Sequence, residues 1–365
     1  MKKLKNIFIS AIHQNAGKTT LALGLYKNFQ ERKIRTAFMK PVGQETVSIG
    51  GAPVDKDSYL IGEVYHCAKR INDMSPITVG RGYTEKYILN PQKEVLQEKI
   101  LKSFHTLTKG KDAIIVEGTG HAGVGAVIDC SNADVAALLG SNVIIVSQGG
   151  IGRSIDEIML NKALFDLRGV PVLGVIVNKV IPEKLEKIKN IVGRGLANKG
   201  IRLLGVIPET ELLSAPTVEQ IKERLDLKVF SGVENLQARV YDVIVAAMEP
   251  HNMMGHLREG ALVITSGDRV DNILVAVSSY LLQEGRNIKV AGLILTGGLI
   301  PDDKIAGLLK DSHIPVLCCE ADTYTIAAAI ENLTCKIQKT DKDKIHEAHR
   351  LIKGHVNVDM ILENL

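Results

Sequence analysis

The chain has 365 residues, enough for about two domains at roughly 150 residues each. Apolar residues make up 45% and charged residues 24%, which excludes a disordered, collagen-like or coiled-coil chain. Lysine and arginine number 45 against 41 acidic residues, a net +4 spread without blocks, so the chain carries no nucleic-acid footprint.

Tryptophan is absent and aromatics reach only 4%, so the core must be built from Val, Ile, Leu and Ala, as in buried parallel strands. Cys67, Cys130, Cys318, Cys319 and Cys335 form no Cys-x-x-Cys pair and are odd in number. That pattern indicates neither a disulfide framework nor a zinc ribbon and fits a reducing cytosol. The basic start, residues 1–5, leads into one strand and a phosphate-loop pattern rather than a signal peptide. No stretch reaches the roughly 18 apolar residues needed to cross a bilayer, so a cytoplasmic protein with no membrane partner is expected.

Residues 6–11 read as a short apolar strand, and 17–31 turn to helical spacing through Leu21, Leu25 and Phe29. Strands follow at 35–39, 112–117, 142–147, 172–178 and 202–207, with helices at 92–108 and 155–168. The alternation predicts a parallel sheet with helices on both faces. Residues 43–53 are Gly-rich and lack a period, and read as a loop at the strand ends. The pattern pauses over 209–216, where a domain boundary is expected. Beyond it, strands at 239–247, 261–266, 289–296 and 314–318 alternate with helices at 270–284, 302–311 and 323–332. The charged segment 339–365 has helical spacing and is expected to pack back on a neighbouring element or across a dimer. The units expected are therefore 1–212, 216–335 and a tail, 339–365.

The segment His13-Gln14-Asn15-Ala16-Gly17-Lys18-Thr19-Thr20 follows the first strand and opens the first helix, the context a phosphate loop requires. Backbone N–H groups of Asn15 to Thr20 and the positive helix end suit phosphate oxygens, Lys18 suits the terminal phosphates, and the Thr19 hydroxyl suits Mg²⁺. Ile12 stands where the strict pattern has Gly. Glu117 closes a central strand before Gly118-Thr119-Gly120, where a carboxylate serves the metal. Lys40 closes the second strand, where a cation faces the terminal phosphate or an acidic substrate. Asp55 and Asp57 lie in or after the Gly-rich loop and complete a metal site; a helix cap is the equal alternative for Asp57.

In order, the loop ending Gly17-Lys18-Thr19, Lys40-Pro41-Val42, Asp55 or Asp57, Glu117-Gly118, Asn178 and Gly205-Val206-Ile207-Pro208 resemble the dethiobiotin synthetase family and the related cobyrinic acid a,c-diamide synthases over the first roughly 210 residues. The resemblance implies an α/β P-loop NTPase-type fold binding ATP and Mg²⁺, with Lys18 and Thr19 on phosphates and metal, and Lys40 assisting the activated intermediate. It further implies that the acidic groups bind metal, and that Asn178, with Pro208 beside it in the motif order, binds the adenine end. Taken alone, Asn178 reads as a strand-to-loop cap. The resemblance also implies a homodimer, because the synthetases bind substrate at a subunit interface. Departures concern the acceptor: Gly43-Gln44 replaces a small-residue stretch with a serine, and Thr119-Gly120-His121-Ala122-Gly123-Val124-Gly125 replaces a Gly-rich loop with an aromatic. His121 reads as either a substrate group or a plain loop residue.

Gly267-Asp268-Arg269 and Leu295-Thr296-Gly297-Gly298, each after a strand, resemble the two signatures of the DRTGG domain over roughly residues 216–333. The pairing is similar to the N-terminal region of some phosphotransacetylases, here without the acetyltransferase, and implies a smaller α/β regulatory or dimerising domain that also serves a protein partner. Asp268 and Arg269 read alternatively as a helix cap and a surface cation. Cys318-Cys319-Glu320 lacks the glycines of a nucleophile elbow, and His346 with His349 reads as a solvated helix face before a metal pair. The function expected is Mg²⁺-dependent phosphoryl transfer from ATP to a carboxylate, a carbamate or water, with Lys18, Lys40 and Glu117 as the catalytic groups. The alternatives are a nucleotide-operated switch on a partner enzyme and a sensor that binds without hydrolysis.

Overall fold

The computed structural model describes residues 4–281 and 289–365. They form two compact units, Met1–Leu213 with Ile337–Leu365, and Ser214–Lys336. In the first unit, largely apolar runs become strands β1 (Lys5–Ala11), β2 (Thr36–Met39), β3 (Ala113–Glu117), β4 (Asn142–Gln148), β5 (Val172–Val180) and β6 (Leu203–Pro208). Helices α1 (Lys18–Glu31), α2 (Lys56–Val64), α3 (Lys93–Thr108), α4 (Gly152–Leu167) and α5 (Leu185–Ala197) join them. The strands pair in the order β6-β5-β4-β1-β3-β2, parallel throughout. Consecutive residues such as Ile7, Phe8 and Ile9 are all buried, which is why two-faced burial writes an unbroken apolar run rather than an alternating one. With β2 and β3 on one side of β1 and β4 to β6 on the other, the connections part at the carboxyl end of β1 and leave a crevice there.

Residues 43–53, expected as a loop, instead contain an antiparallel hairpin pairing Thr46–Ile49 with Ala52–Asp55. Gly50 and Gly51 make the turn at φ +57° and +83°, and Val47 and Ile49 are less exposed than Thr46 and Ser48. This period of two is too short to stand out beside two glycines. Helix α4 begins at Gly152, three residues before the expected start.

In the second unit, β7 (Lys228–Ser231), β8 (Asp242–Val245), β9 (Ala261–Ser266), β10 (Gly292–Thr296) and β11 (Val316–Cys318) pair as β7-β11-β10-β9-β8. All pairs are parallel except β7 with β11. Val263, Leu293 and Leu295 pack with Ile273 and Val277 of α7 (Val270–Leu281) on one face. On the other, Leu262, Ile264 and Ile294 meet α6 (Val218–Leu225) and α9 (Thr323–Glu331). Helix α8 (Asp303–Asp311) links β10 to β11. The strands expected from 239, 289 and 314 start later, at Asp242, Gly292 and Val316, and Arg239 forms only an isolated antiparallel bridge with Thr217. Residues 282–284 of the expected helix lie outside the described residues. The sequence reading passed over β7 and α6, although Thr217 and Gln220 form a capping box that marks where α6 starts.

The chain then returns to the first unit through α10 (Lys342–His355) and α11 (Val358–Glu363). Helix α10 lies on α1, burying Ile345, Ala348, Leu351 and Ile352. Gly24 permits the approach, since a Cβ there would sit 2.1 Å from Ile352 Cγ1. Fully buried Lys344 donates to the Leu213 carbonyl at 3.2 Å, tying α10 to the last residue of the first segment of that unit.

His346 is exposed, but His349 is half-buried rather than solvated, its Nε2 lying 2.8 Å from the Tyr65 hydroxyl. That hydroxyl also donates to the Leu23 carbonyl, and the Tyr65 ring stacks on Tyr26 at 4.1 Å. Burial pulls the His349 pKa down from 6.5 to about 4, with Lys27 and His346 adding to the effect. The unfolded chain therefore takes up a proton that the folded chain refuses over this window. Stability should fall as pH drops from 6.5 to about 4, and urea midpoints of a His349→Gln variant should vary less with pH there than those of the wild type.

Candidate functional site

The turn between β1 and α1 is set by backbone geometry. Gly17, the N-cap of α1, has φ +102°, and a Cβ there would meet Asn178 Nδ2 at 2.0 Å, so only glycine fits. Asn15 also takes a positive φ, +60°. No side chain caps α1 and its first turn carries no acidic residue, which leaves the helix start electropositive. Lys18 is 8% exposed, and Thr19 and Thr20 are half-buried.

Asn178, near the end of β5, donates from Nδ2 to the Ala16 carbonyl at 2.9 Å and so braces the loop from the far side. Removing this buried amide should cost about 1–3 kcal/mol. An Asn178→Ala variant should show that loss in urea unfolding and weaker nucleotide binding in titration calorimetry. Pro208 ends β6, the edge strand, with its Cα opposite Val180.

Beside the loop, the carboxyl ends of β2 and β3 and the start of α2 bring four charged groups together. Lys40 Nζ bonds to Asp57 and lies 3.5 Å from Glu117 Oε1 and 3.7 Å from Asp55 Oδ1. Lys40 is 4% exposed and Asp55, Asp57 and Glu117 are 0%, 2% and 1%. Burial opposes the charged amine, but Asp57, Glu117 and Asp55 outweigh it and hold the Lys40 pKa well above its ordinary value. Thr19 Oγ1 donates to Glu117 Oε1 at 3.0 Å, joining the phosphate loop to this cluster. The cap of α2 is Asp55, whose Oδ1 accepts from the N–H groups of Asp57 and Ser58, and not Asp57. The donors are hard oxygens, three carboxylates and a hydroxyl, which suits Mg²⁺. Among the described residues, no three acidic, His or Cys groups converge at metal geometry; the carboxylates surround Lys40 instead.

The loop after β3 is organised by two asparagines that the sequence reading passed over. Asn132 accepts from Thr119 N–H at 3.1 Å and donates to the carbonyls of Thr119 and His121 at 2.8 and 2.7 Å. Asn161 accepts from Ala122 N–H at 2.8 Å. Both are buried, and a polar amide on the core side of a helix was their one sequence signal. His121 is exposed, its Nδ1 accepting from Gly123 N–H at 3.2 Å. In the phosphate loop, burial pulls the His13 pKa down and Nδ1 is buried with no hydrogen-bond partner.

In the second unit, Gly267 and Gly297-Gly298 serve loop packing. A Cβ at Gly267 would fall 1.8 Å from the Leu299 carbonyl, and Gly297 and Gly298, at φ +77° and +68°, donate to the Ala321 and Cys319 carbonyls. Arg269 pairs with Asp271 at 3.0 Å and donates to the Met248 carbonyl. Cys318 ends β11 and carries no nucleophile-elbow turn.

Among the described residues no helix is long and apolar enough to cross a membrane. The chain is 29% identical over 363 residues to the phosphate acetyltransferase of Nitratidesulfovibrio vulgaris, covering 96% of this chain and 50% of that protein. It is 27% identical over 370 residues to the phosphate acetyltransferase of Pseudomonas putida, covering 97% and 51%. It thus spans about half the length of these curated relatives. A plasmid partition protein from Borrelia burgdorferi bound to AMPPNP matches 58% of this chain and 90% of its own at 16% identity and a TM-score of 0.40. Residues 220–333 match the DRTGG domain, and residues 5–217, more than half of the chain, match AAA_26, described as an AAA domain; the chain belongs to that family, a P-loop domain followed by a DRTGG domain.

Proposed function

We propose that the chain is a Mg²⁺-dependent, dethiobiotin synthetase-like ATPase module whose DRTGG domain regulates it. The observation that carries this reading is the hydrogen bond from Thr19 to Glu117, which joins a phosphate loop to a buried carboxylate cluster holding Lys40. The N–H groups of Asn15 to Thr20 bind phosphate oxygens, and Lys18 neutralises charge on the terminal phosphates. Thr19, Glu117, Asp55 and Asp57 hold Mg²⁺, which when bound supplies Lewis-acid polarisation of the phosphates. Lys40 stabilises charge on the transferred group, and the acceptor is a carboxylate, a carbamate or water. Asn178 holds the loop at Ala16 and borders the adenine end together with Pro208. A homodimer in the cytoplasm completes the reading.

A second reading is favoured by the match across both domains to phosphate acetyltransferases. In it the chain is a nucleotide-operated switch that controls an acetyl-transferring partner or segment through the DRTGG domain. Steady-state ATP turnover with Mg²⁺, run beside Lys18→Ala, tests the first reading; equal turnover in both proteins sinks it. Stimulation by a small carboxylic acid with product formation favours the enzyme, and stimulation by a protein partner favours the switch.

A further inference from the structure

We propose that Lys40 is the resident counter-cation of the carboxylate cage, holding in the nucleotide-free chain the place a divalent cation takes when nucleotide arrives, so that metal entry and release of Lys40 are one event. This deepens the Mg²⁺ reading above and rests on it.

The Lys40 ammonium lies against the same carboxylate oxygens that a divalent cation would use. Asp55 and Asp57 at the start of α2 and Glu117 at the end of β3 are buried and all face the Lys40 ammonium. Buried carboxylates demand a cation, and breaking such a pair leaves an uncompensated charge. The oxygens of Glu117 and Asp55 stand 3.5 and 3.7 Å from Nζ, whereas Mg²⁺ needs them at about 2.1 Å. A metal at that distance from either carboxylate falls within a few ångströms of the ammonium, where repulsion in a dry interior is strong. Lys40 sits on a flexible four-carbon stem at the end of β2, so its charge can leave while its backbone stays. The exchange is tied to nucleotide because Glu117 Oε1 accepts from Thr19 of the phosphate loop while facing Lys40. Phosphates that enter the loop give the displaced ammonium its new partner.

The test is Mn²⁺ binding to the full chain without nucleotide, followed by electron paramagnetic resonance of free Mn²⁺, for wild type, Lys40→Met and Lys40→Arg. Lys40→Met should bind Mn²⁺ about ten-fold or more tightly than wild type, and Mn²⁺ should raise its melting temperature. Lys40→Arg, which keeps the charge, should show no gain. Should Lys40→Met fold only with Mn²⁺ present, the handover is supported, because a dication then replaces the ammonium. Equal Mn²⁺ affinity in Lys40→Met and wild type, a gain in Lys40→Arg, or failure of Lys40→Met to fold even with Mn²⁺ overturns it. Mg²⁺-ATP binding by wild type is measured separately. If it is present while Lys40→Met shows no gain, the handover fails and the functional reading stands. If it is absent, the functional reading fails, and any gain in Lys40→Met reports a cation site unlinked to nucleotide, which overturns the handover as well.

Discussion

Lys18→Ala should lower Mg²⁺-dependent ATP turnover by about 10²–10³-fold, the usual cost of losing one preorganised group that faces developing charge. Lys18 opens α1 directly after the left-handed Gly17, at a helix start with no acidic residue in its first turn and no side-chain cap. On the proposed reading, its charge and the helix dipole act on the same phosphates. The substitution leaves Gly17, the Asn178 brace and the Thr19 to Glu117 bond in place, so loss of turnover with a near-native urea midpoint would isolate the charge. A variant that turns over ATP within a few-fold of wild type would remove Lys18 from the chemistry.

Deleting residues 337–365 should leave the first unit unable to fold. Helices α10 and α11 place Leu351, Ile352 and Ile361 fully inside its core, together with Ile345, Ala348 and Val358. Truncating one buried Leu or Ile costs about 2–5 kcal/mol, and a whole domain is stable by only about 5–15 kcal/mol. Leu351→Ala and Ile352→Ala should each lower the urea midpoint by a measurable share of that total. A chain ending at residue 213 should be insoluble or molten, whereas one joining 1–213 to 337–365 through a short linker should fold and bind Mg²⁺-ATP. Cooperative unfolding of the 1–213 chain at the wild-type midpoint would contradict the role assigned to the tail.

The alternation of strands and helices was legible because burial on both faces of a parallel sheet writes continuous apolar runs, and helix burial writes a period near 3.6. The phosphate loop was legible for a similar reason: Gly17, Lys18 and Thr19 act through the backbone of one short turn. The hairpin at Thr46–Ile49 and helix α6 were missed where elements are short and their glycines or capping residues resemble those of loops.

Residue identity and local spacing thus settled the type of each long element, the position of the phosphate loop, and the set of residues from which a site could be drawn. The fold settled the rest. Lys40 meets Asp57 and Glu117, 17 and 77 positions away in sequence, because β2 lies next to β3 and α2 starts at their carboxyl ends. Asn132 and Asn161 became loop braces, and α10 became part of the first core, for the same reason. Local periodicity records which side of an element is buried. It carries no record of the strand order, and strand order is what brings distant charges into one cage.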